Sequence, residues 1–518
     1  MALVGTGSAS GEIKDQMLVR IFLTDLVQIE QIREMGIGVV SDIEGETRID
    51  VMVTESQLDE LIRRGFDTKT LMTPEELRAL DLRLDPEYHD YEEMVSELTN
   101  LESAHPQIAM MESIGVSVEE QRTIWAFKIS DNVGQEEDEP AVLYDGVHHA
   151  CEVMGLEICM GLINDLLDDY GSDPQVTFWV DNTEIWFIPL LNPDGHSAVT
   201  DSISLYWRKN GRDLNGNGIL YEYDCNDWWN CYTEGANVNR NYDFNFIHGG
   251  SGDPWHYDYR GASPFSEDEN VAIRGLAIQQ RFVLSISYHS YGEVVFYPWS
   301  WNGSYAPDDA ALTEIAQQIA FRSTQHDGFG TYDYTRNGAL SGMSANWFYG
   351  TQGTFDFMIE VLEYPYFIIP GSEIDSVYRA NKAGALYLLD RVRGTSITGL
   401  VSDSITGDPL EARVRIIELY SPDVSPRTSD PLFGRYRWLL TPGTYDLEFS
   451  SPGYVTKSFS NVSVSPGVPT VLDVQLNPRI SVSVLSSWGL ALLLMLLLAS
   501  AIVVNRLRTT RRSSPTPY

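Results

Sequence analysis

Four residues of this chain have the types and the spacing of a hydrolytic metal site. His149 and Glu152 form an HxxE pair, and His289 lies far away in a YHSYG segment. Side chains one helical turn apart can face one point, and a third, remote ligand leaves the fourth position of a zinc ion open for water. Glu360, in the segment FMIEV, adds a carboxylate that can act as a base on that water. If the four side chains converge, they form a catalytic zinc site.

Two neighbouring residues compete for these roles. His148 pairs with Glu152 at i,i+4 and is the alternative ligand to His149, although its default interpretation is a core or supporting histidine. Glu363 follows Glu360 by three residues and is the alternative base. The residues alone leave both alternatives open.

Composition predicts several domains and excludes a nucleic-acid surface. The chain has 518 residues, of which 43% are hydrophobic, and this is too long for one ordinary core. Its net charge of −39 comes from 74 acidic and 35 basic residues, whereas phosphate binding needs clustered Lys and Arg. Four cysteines do not make a disulfide scaffold. Cys225 and Cys231 can close a short loop, and Cys151 and Cys159 are expected to be buried thiols.

The elements that must position the site follow from hydrophobic patterning. Residues 17–72 predict a small α/β unit, and residues 73–86 a polar linker. Residues 87–393 alternate apolar strands with helical segments, which indicates an α/β fold with a mainly parallel sheet and the site at the strand ends. Residues 394–477 change to short alternating strands and predict a small antiparallel β-sandwich.

The C-terminal region predicts a membrane anchor. Residues 480–505 contain no charge, and within them we expect one transmembrane helix over residues 484–504. The following tail, residues 505–518, is basic, so the positive-inside preference places it in the cytoplasm and the catalytic domain outside the cell. This single-pass topology needs an export signal. Residues 1–15 lack the pattern of one, and we expect the sequence to begin downstream of it.

The middle region resembles the zinc carboxypeptidases, over about 300 residues and through an ordered set of motifs. These are DGVHHACE, NPDG, WRKN, GANVNRNYD and YHSYG, followed by FMIEV. The resemblance implies a mixed, mainly parallel eight-stranded sheet flanked by helices. The N-terminal unit is similar to the propeptides of this family, and the C-terminal sandwich resembles the transthyretin-like domain of its regulatory-type members.

Carried over by position, the resemblance assigns the metal site. His149, Glu152 and His289 match the family's zinc ligands, which favours His149 over His148. Glu360 matches the catalytic glutamate that takes a proton from water and hands it to the leaving amine. One zinc ion per catalytic domain is implied.

The resemblance also implies a substrate site. Arg208 in WRKN matches the arginine that stabilises the developing oxyanion. Asn239 and Arg240 in NVNRN match the residues that hold the free C-terminal carboxylate of a peptide, which suits the forked guanidinium group.

Three positions depart from the family pattern. Cys151 replaces an arginine that contacts substrate in relatives. Gly338 stands where the family has a mobile capping tyrosine, and Tyr334 is the nearby candidate for that role. Ala345 occupies a position of the specificity pocket and hints at a neutral, apolar C-terminal side chain.

An insertion between WRKN and NVNRN predicts a calcium loop. Asp213, Asn215, Asn217 and Asp224, with Gly218 at the turn, fit the spacing DxNxNGxxxxxD. Oxygen ligands on alternate residues and a carboxylate at the twelfth position are what calcium requires, although glutamate is more usual there. The alternative is a plain Asn/Gly turn.

Together these observations predict a membrane-anchored, externally facing zinc metallocarboxypeptidase that hydrolyses the C-terminal peptide bond of peptides or proteins. One alternative is an amidase of the same fold that acts on peptidoglycan-like or N-acyl amino acid substrates. The other is a noncatalytic surface binding protein that uses the sandwich for adhesion.

Overall fold

The computed structural model of the protein describes residues 16–24, 28, 31–32, 35, 37, 39–41, 48–74, 84–225, 231–299, 304–326, 328–336, 341–363, 366–479, 494–500 and 502. Its first elements are β1 (Gln16–Phe22), β2 (Val39–Ser41), β3 (Arg48–Thr54), α1 (Glu55–Arg63) and β4 (Asp67–Met72). The four strands form one sheet in the order β2-β3-β1-β4. A capping box of Thr54 and Gln57 begins α1, because each side chain satisfies a backbone amide of the other.

A mixed eight-stranded sheet lies at the centre of the molecule, as predicted. Its order is β13-β12-β14-β11-β7-β8-β6-β5. The pairs β14-β11, β11-β7, β7-β8 and β12-β13 are parallel, and the other three are antiparallel. The strands, with the separate hairpin β9-β10, are β5 (Ala109–Val116), β6 (Thr123–Ile129), β7 (Ala141–Gly146), β8 (Glu184–Ile188), β9 (Tyr223–Cys225), β10 (Cys231–Thr233), β11 (Leu284–Ser290), β12 (Val294–Tyr297), β13 (Asp333–Arg336) and β14 (Phe355–Val361).

Helices cover both faces of this sheet, so its central strands are buried on both sides. On β7, Val142 and Tyr144 join the core cluster that includes the helices Met154–Asp169 and Ile374–Arg391, whereas Ala141 and Leu143 join the cluster that includes the helix Asp268–Gln280. The helices are α2 (Tyr91–Ala104), α3 (Met154–Asp169), α4 (Pro174–Val180), α5 (Pro193–Thr200), α6 (Asp268–Gln280), α7 (Asp309–Ala320), α8 (Ser344–Trp347) and α9 (Ile374–Arg391), with short turns at Val238–Arg240, Phe246–His248, Phe348–Gln352 and Gly371–Glu373.

The C-terminal β-sandwich is also present, with its own core around Trp438 and Phe449. One sheet has the order β17-β15-β20 with β21 also on β15, and the other has the order β16-β18-β19. It is not wholly antiparallel as predicted, because β20 and β21 run parallel to β15. The elements are β15 (Ser396–Asp403), β16 (Arg413–Ile416), Ile417–Leu419, β17 (Arg435–Leu439), β18 (Gly443–Ser450), β19 (Lys457–Val464), β20 (Pro469–Val471) and β21 (Val474–Leu476).

The predicted transmembrane segment falls largely outside the described residues. Residues 494–500 and 502 are helical and, where described, exposed. Within the part of the chain that the structure describes, no helix combines the length and the apolar character needed to cross a bilayer.

Candidate active site

The carboxyl ends of three neighbouring parallel strands bring the predicted site residues to one edge of the sheet. His149 follows β7 after two residues, His289 lies near the end of β11, and Glu360 near the end of β14. The register of β11 and β14 places His289 directly beside Glu360. Paired residues of parallel strands point to the same face, so the two side chains share one side of the sheet. Open α/β sheets place ligands at this edge.

The HxxE motif lies on a turn and not on a helix, which corrects the sequence-based expectation. The turn fills the space between Gly146, the last residue of β7, and Met154, the first of α3. The Glu152 amide donates to the His149 carbonyl at 3.1 Å, so the i,i+3 turn still brings both side chains to one point. At Gly146 a Cβ would lie 2.7 Å from the carbonyl carbon of Gly155, so this close approach of strand and helix requires glycine.

The three predicted zinc ligands converge in a buried cluster. His149 Nδ1 lies 2.9 Å from Glu152 Oε1, His289 Nδ1 lies 2.7 Å from Glu152 Oε2, and the two Nδ1 atoms are 3.1 Å apart. All three side chains are almost completely buried. One ligand atom from each lies within 4.8 Å of the others, so the cluster can hold one metal ion.

The charge states of the cluster suit metal binding. Burial, then the nearby Arg208, holds the pKa of His149 well below its ordinary value, and burial likewise lowers the pKa of His289. Both rings are therefore neutral and offer a lone pair.

His148 belongs to a different part of the core. Its Nε2 lies 2.7 Å from the Tyr242 hydroxyl, and its Nδ1 lies 3.1 Å from Asp145 Oδ1 and 3.2 Å from Ser287 Oγ. Both ring nitrogens therefore have partners other than the three predicted ligands, which matches the interpretation of His148 as a core or supporting histidine.

Arg208 directs its charge at the ligand cluster. Its Nη1 donates to Glu152 Oε1 at 3.1 Å, and its side chain is 26% exposed. Its backbone carbonyl accepts from the Ala150 amide at 3.1 Å, which ties the WRKN segment to the HxxE turn. A fixed positive charge therefore lies at the mouth of the metal site.

Glu360 is the one residue of β14 that is partly rather than fully buried. Desolvation, then the nearby Glu152 carboxylate, raises the pKa of Glu360 well above its ordinary value, while Arg208 and Arg240 act in the opposite direction. The competing Glu363 lies beyond the end of β14 and is exposed. The structure thus places Glu360, and not Glu363, beside the ligands.

Asn239 and Arg240 lie together on the short turn Val238–Arg240. The Asn239 carboxamide has protein partners on both sides, with Nδ2 3.2 Å from His289 Nε2 and Oδ1 accepting from the Ser344 amide at 2.9 Å. Arg240 donates through Nη1 to the Asn239 carbonyl at 2.9 Å.

Two polar residues of the site were missed by the sequence analysis. Asn237 Oδ1 lies 3.1 Å from His149 Nε2, and Asn237 Nδ2 donates to Asp258 Oδ1 at 2.7 Å. The other Asp258 oxygen accepts from Arg240 Nε at 3.2 Å. Asn237 stands in the recognised GANVNRNYD motif and could have been found there, whereas Asp258 lies in no recognised motif.

Of the three positions that depart from the family pattern, Cys151 and Ala345 lie within the described residues. Cys151 is buried and free, as is Cys159, which confirms the expectation of buried thiols. Ala345 is fully buried on α8, and Gly338 lies outside the described residues. The hydroxyl of Tyr334 accepts from Gln317 Nε2 at 2.9 Å, and its ring packs against Phe321. These contacts hold Tyr334 against α7.

The predicted calcium loop forms a series of tight turns. The Asp213 carboxylate accepts from the amides of Gly216 and Gly218 at 2.6 and 2.8 Å, and these bonds lower the pKa of Asp213. Asn215 and Asn217 donate to Glu222 Oε2 at 2.8 and 2.7 Å. The side chain of Asp224 lies outside the described residues, so calcium binding here stays a prediction. The Cα atoms of Cys225 and Cys231 are partners across β9 and β10.

The residues present fit a zinc ion. Two neutral imidazoles and one carboxylate are a common donor set of catalytic zinc, which keeps a fourth position open. Ligand atoms that share a tetrahedral ion about 2.0–2.2 Å away lie about 3.3–3.6 Å from one another. The observed separations of 2.7, 2.9 and 3.1 Å need only a small outward shift of the three side chains.

Comparison with known proteins defines the class to which this fold and site belong. The family model described as zinc carboxypeptidase matches residues 94–384, and the carboxypeptidase regulatory-like domain matches residues 396–477. The chain belongs to the zinc carboxypeptidase family. This result confirms the family that the sequence motifs predicted.

Individual relatives agree with the family. Human carboxypeptidase D is 28% identical over 399 residues, which are 72% of this chain and 26% of that protein. The chain thus spans about a quarter of the length of this relative. A zinc carboxypeptidase of Saccharothrix mutabilis subsp. capreolus is 29% identical over 301 residues, covering 55% of this chain and 63% of that one.

Solved structures share the fold. Carboxypeptidase A from Helicoverpa armigera aligns with a TM-score of 0.60 and 21% identity, over 73% of this chain and 98% of that chain. Thrombin-activatable fibrinolysis inhibitor aligns with a TM-score of 0.57 and 19% identity, over 72% of this chain and 99% of that chain.

Proposed function

We propose that this protein is a zinc metallocarboxypeptidase that removes C-terminal residues from peptides or proteins. The observation that carries the proposal is the position of the buried cluster of His149, Glu152 and His289 directly beside Glu360, at the carboxyl edge of the sheet. The family match supports the same reaction.

The side chains around the cluster divide the work of hydrolysis. Zinc held by the three ligands would polarise the scissile carbonyl and lower the pKa of water. Glu360 takes the proton of the attacking water and returns it to the leaving amine. Its raised pKa makes it a better proton acceptor than an ordinary carboxylate once it is ionised. Arg208 stabilises the developing oxyanion, a contribution that is about 2.7–4 kcal/mol for comparable donors.

Recognition of a free C-terminus falls to Arg240. It is the cation that shares the turn with Asn239, next to the ligand His289. Among the described residues, Nη2 of Arg240 has no hydrogen-bond partner, so this end of the guanidinium is available to a carboxylate. Such charge-assisted, forked pairing distinguishes a terminal carboxylate from an internal peptide bond.

The test compares one peptide as its free C-terminal acid and as its C-terminal amide. We expect kcat/KM to be at least about 30-fold higher for the acid, because an unpaired buried charge typically costs 2 kcal/mol or more. Arg240→Gln should remove this preference by slowing only the acid, whereas Arg274→Gln, an exposed arginine on α6, should preserve it.

The other outcomes identify the alternatives. Equal hydrolysis of acid and amide would indicate the amidase. A zinc-loaded chain that cleaves neither peptide, nor any N-acyl amino acid, would indicate the noncatalytic binding protein.

We also propose that residues 484–504 anchor the chain in a membrane with the catalytic domain on the external side. The proposal rests on the absence of charge in residues 480–505 and on the basic tail after it. Alkaline extraction of membranes should leave the chain in the pellet, and external protease should reach the catalytic domain in intact cells. Release of the chain into the alkaline supernatant would contradict the anchor.

For the loop that contains Asp213, Asn215 and Asn217 we propose a structural calcium ion, supported by the spacing of its oxygen ligands. Added calcium should raise the midpoint of thermal unfolding of the wild type and leave Asp213→Asn unchanged. An equal response of both proteins would contradict it.

A further inference from the structure

One carboxylate joins the two functional halves of the site. Asp258 Oδ1 accepts from Asn237 Nδ2 at 2.7 Å, and Asp258 Oδ2 accepts from Arg240 Nε at 3.2 Å. The side chain of Asp258 is 13% exposed, so solvent screens these bonds weakly. The described side-chain bonds of Asp258 go to Asn237 and Arg240, and not to His149, Glu152 or His289.

The first of these bonds decides how Asn237 presents its carboxamide. Because Nδ2 donates to Asp258, Oδ1 must face the other way, where it lies 3.1 Å from His149 Nε2 and accepts from the Asn239 amide at 3.0 Å. An oxygen at this place favours the His149 tautomer with the proton on Nε2. The lone pair of Nδ1 then faces Glu152 and His289, where a metal ion would be held.

The second bond fixes the arginine. With Nε held by Asp258 and Nη1 held by the Asn239 carbonyl, the plane of the Arg240 guanidinium is defined by two points. A planar group fixed in this way loses little further freedom when it binds a carboxylate.

The loop of Asp258 is itself well anchored. The Asp258 amide donates to His256 Nδ1 at 3.0 Å, and its carbonyl accepts from the Ser251 amide at 2.8 Å. The neighbouring Tyr259 carbonyl accepts from the Asn237 amide at 2.7 Å. Backbone and side-chain bonds therefore join the same two segments.

We propose that Asp258 is a positioning residue that holds the zinc ligand His149, through Asn237, and the substrate-binding Arg240 at the same time. This inference rests on the proposed carboxypeptidase function. The neutral carboxamide of Asn237 lies between the Asp258 carboxylate and His149. The negative charge of Asp258 therefore holds Asn237 on one side and Arg240 on the other. Loss of this single side chain should weaken zinc binding and substrate binding together.

The test uses the full chain and three variants. Asp258→Ala removes both bonds. The exchange Asn237→Asp/Asp258→Asn moves the negative charge next to His149 and leaves Arg240 a neutral acceptor. Asp243→Ala is the matched control, because Asp243 is exposed near Arg240 in sequence and its side chain makes no hydrogen bond to the described residues. Zinc affinity is measured by competition with a chelator, and KM and kcat are measured at saturating zinc.

Asp258→Ala should weaken zinc binding about 10- to 100-fold, as is typical when a supporting partner of a ligand is lost. Its KM should rise about tenfold, with kcat within about threefold, because Asp258 touches no reacting atom. The exchange variant should recover zinc affinity while its KM stays raised. Circular dichroism identifies any variant that fails to fold, and the exchange variant, which preserves the side-chain shapes, then carries the test.

Zinc affinity and KM of Asp258→Ala within twofold of the Asp243→Ala values would overturn the proposal. A change in only one of the two quantities would also overturn it, because the two halves would then be held independently. Activity of the wild type on the free-acid peptide tests the proposed function separately, since it involves no Asp258 variant.

Discussion

Carboxylates differ in their hydrogen bonding between two regions of this molecule, the active site and the contact between the catalytic unit and the C-terminal sandwich. At the contact, Asp308 accepts from Trp438 Nε1 at 2.7 Å, from the Tyr349 hydroxyl at 2.7 Å and from Arg427 Nη2 at 2.8 Å. At the active site, the side chain of Glu360 makes no hydrogen bond to the described residues, and burial, then the Glu152 carboxylate, raises its pKa.

The same pattern extends along the contact. Asp138 of the catalytic unit accepts from Arg435 Nε and Nη2 and from Arg437 Nη2, at 2.6 to 3.0 Å. Asp308 is buried and Asp138 is partly exposed, and the contact pairs both carboxylates with cations, which fixes its geometry. The side chain of Glu360, the proposed base, has no such partner among the described residues. In these two regions, the carboxylates that hold the contact have both oxygens paired, whereas the side chain of the proposed base does not.

The largest expected effect comes from removing the reactive carboxylate. Glu360→Gln should lower kcat by roughly 10³-fold, within the range of general acid–base catalysis, because the amide cannot take a proton from water. Zinc content, measured by atomic absorption, and the midpoint of thermal unfolding should stay close to wild type. A kcat within tenfold of wild type would show that another group acts as the base.

Removing the fully paired carboxylate of Asp308 should reduce stability and leave catalysis intact. Asp308→Asn turns one acceptor into a donor that faces Arg427 and leaves a buried cation unpaired, which typically costs about 3–5 kcal/mol. Urea unfolding should show this loss while kcat at saturating zinc stays near wild type. Asp309→Asn, which breaks the more exposed pair with Arg336, is the control and should cost less. Equal losses of unfolding free energy in the two variants would contradict the expectation that the more deeply buried ion pair contributes more to stability.

Glu269 stands between the two classes and gives a pH test. It is fully buried and accepts from Asn210 Nδ2 and the Val118 amide, whereas its neighbour Glu267 pairs with Arg212. Burial, then Glu267, raises the pKa of Glu269 to about 8. Its folded-state pKa exceeds the unfolded value, so its contribution to stability is complete below about pH 4.5 and is lost as pH rises through about 8.

Glu269→Gln should therefore raise the free energy of unfolding above pH 8, relative to wild type, and give no comparable gain below pH 4.5. Glu267→Gln should destabilise the protein at neutral pH because it breaks the pair with Arg212. Urea unfolding across this pH range measures both variants. A pH-independent difference between Glu269→Gln and wild type would contradict the raised pKa.

The smallest effect is expected at an exposed pair. Asp375 and Arg379 lie one turn apart on α9 with side chains about 70% exposed, where ion pairs contribute little. Asp375→Asn should leave the thermal midpoint and kcat unchanged within error. A clear drop in either value would show that exposure does not separate important from unimportant carboxylates here.

Sequence reasoning was strongest where chemistry depends on short, ordered motifs. HxxE, WRKN, NVNRN and YHSYG predicted the residues that the fold brings together, and alternating apolar segments predicted the sheet and the sandwich. It was wrong about the helical setting of HxxE, because the same i,i+3 spacing serves a turn. It also missed Asp258, since nothing in the local sequence shows that this residue meets Asn237 and Arg240.

The sequence by itself predicted the ligands and the base, because residue types limit the chemistry and the resemblance of the ordered motifs to the zinc carboxypeptidases favours His149 and Glu360 over their neighbours. Only the tertiary structure decided which neighbours support them. The register of β11 and β14 places Glu360 beside His289. The loop of residues 251–260 places Asp258 against Asn237, whose side chain contacts His149 Nε2. Such contacts join segments far apart in the chain, so they depend on the packing of the whole fold and not on any local pattern.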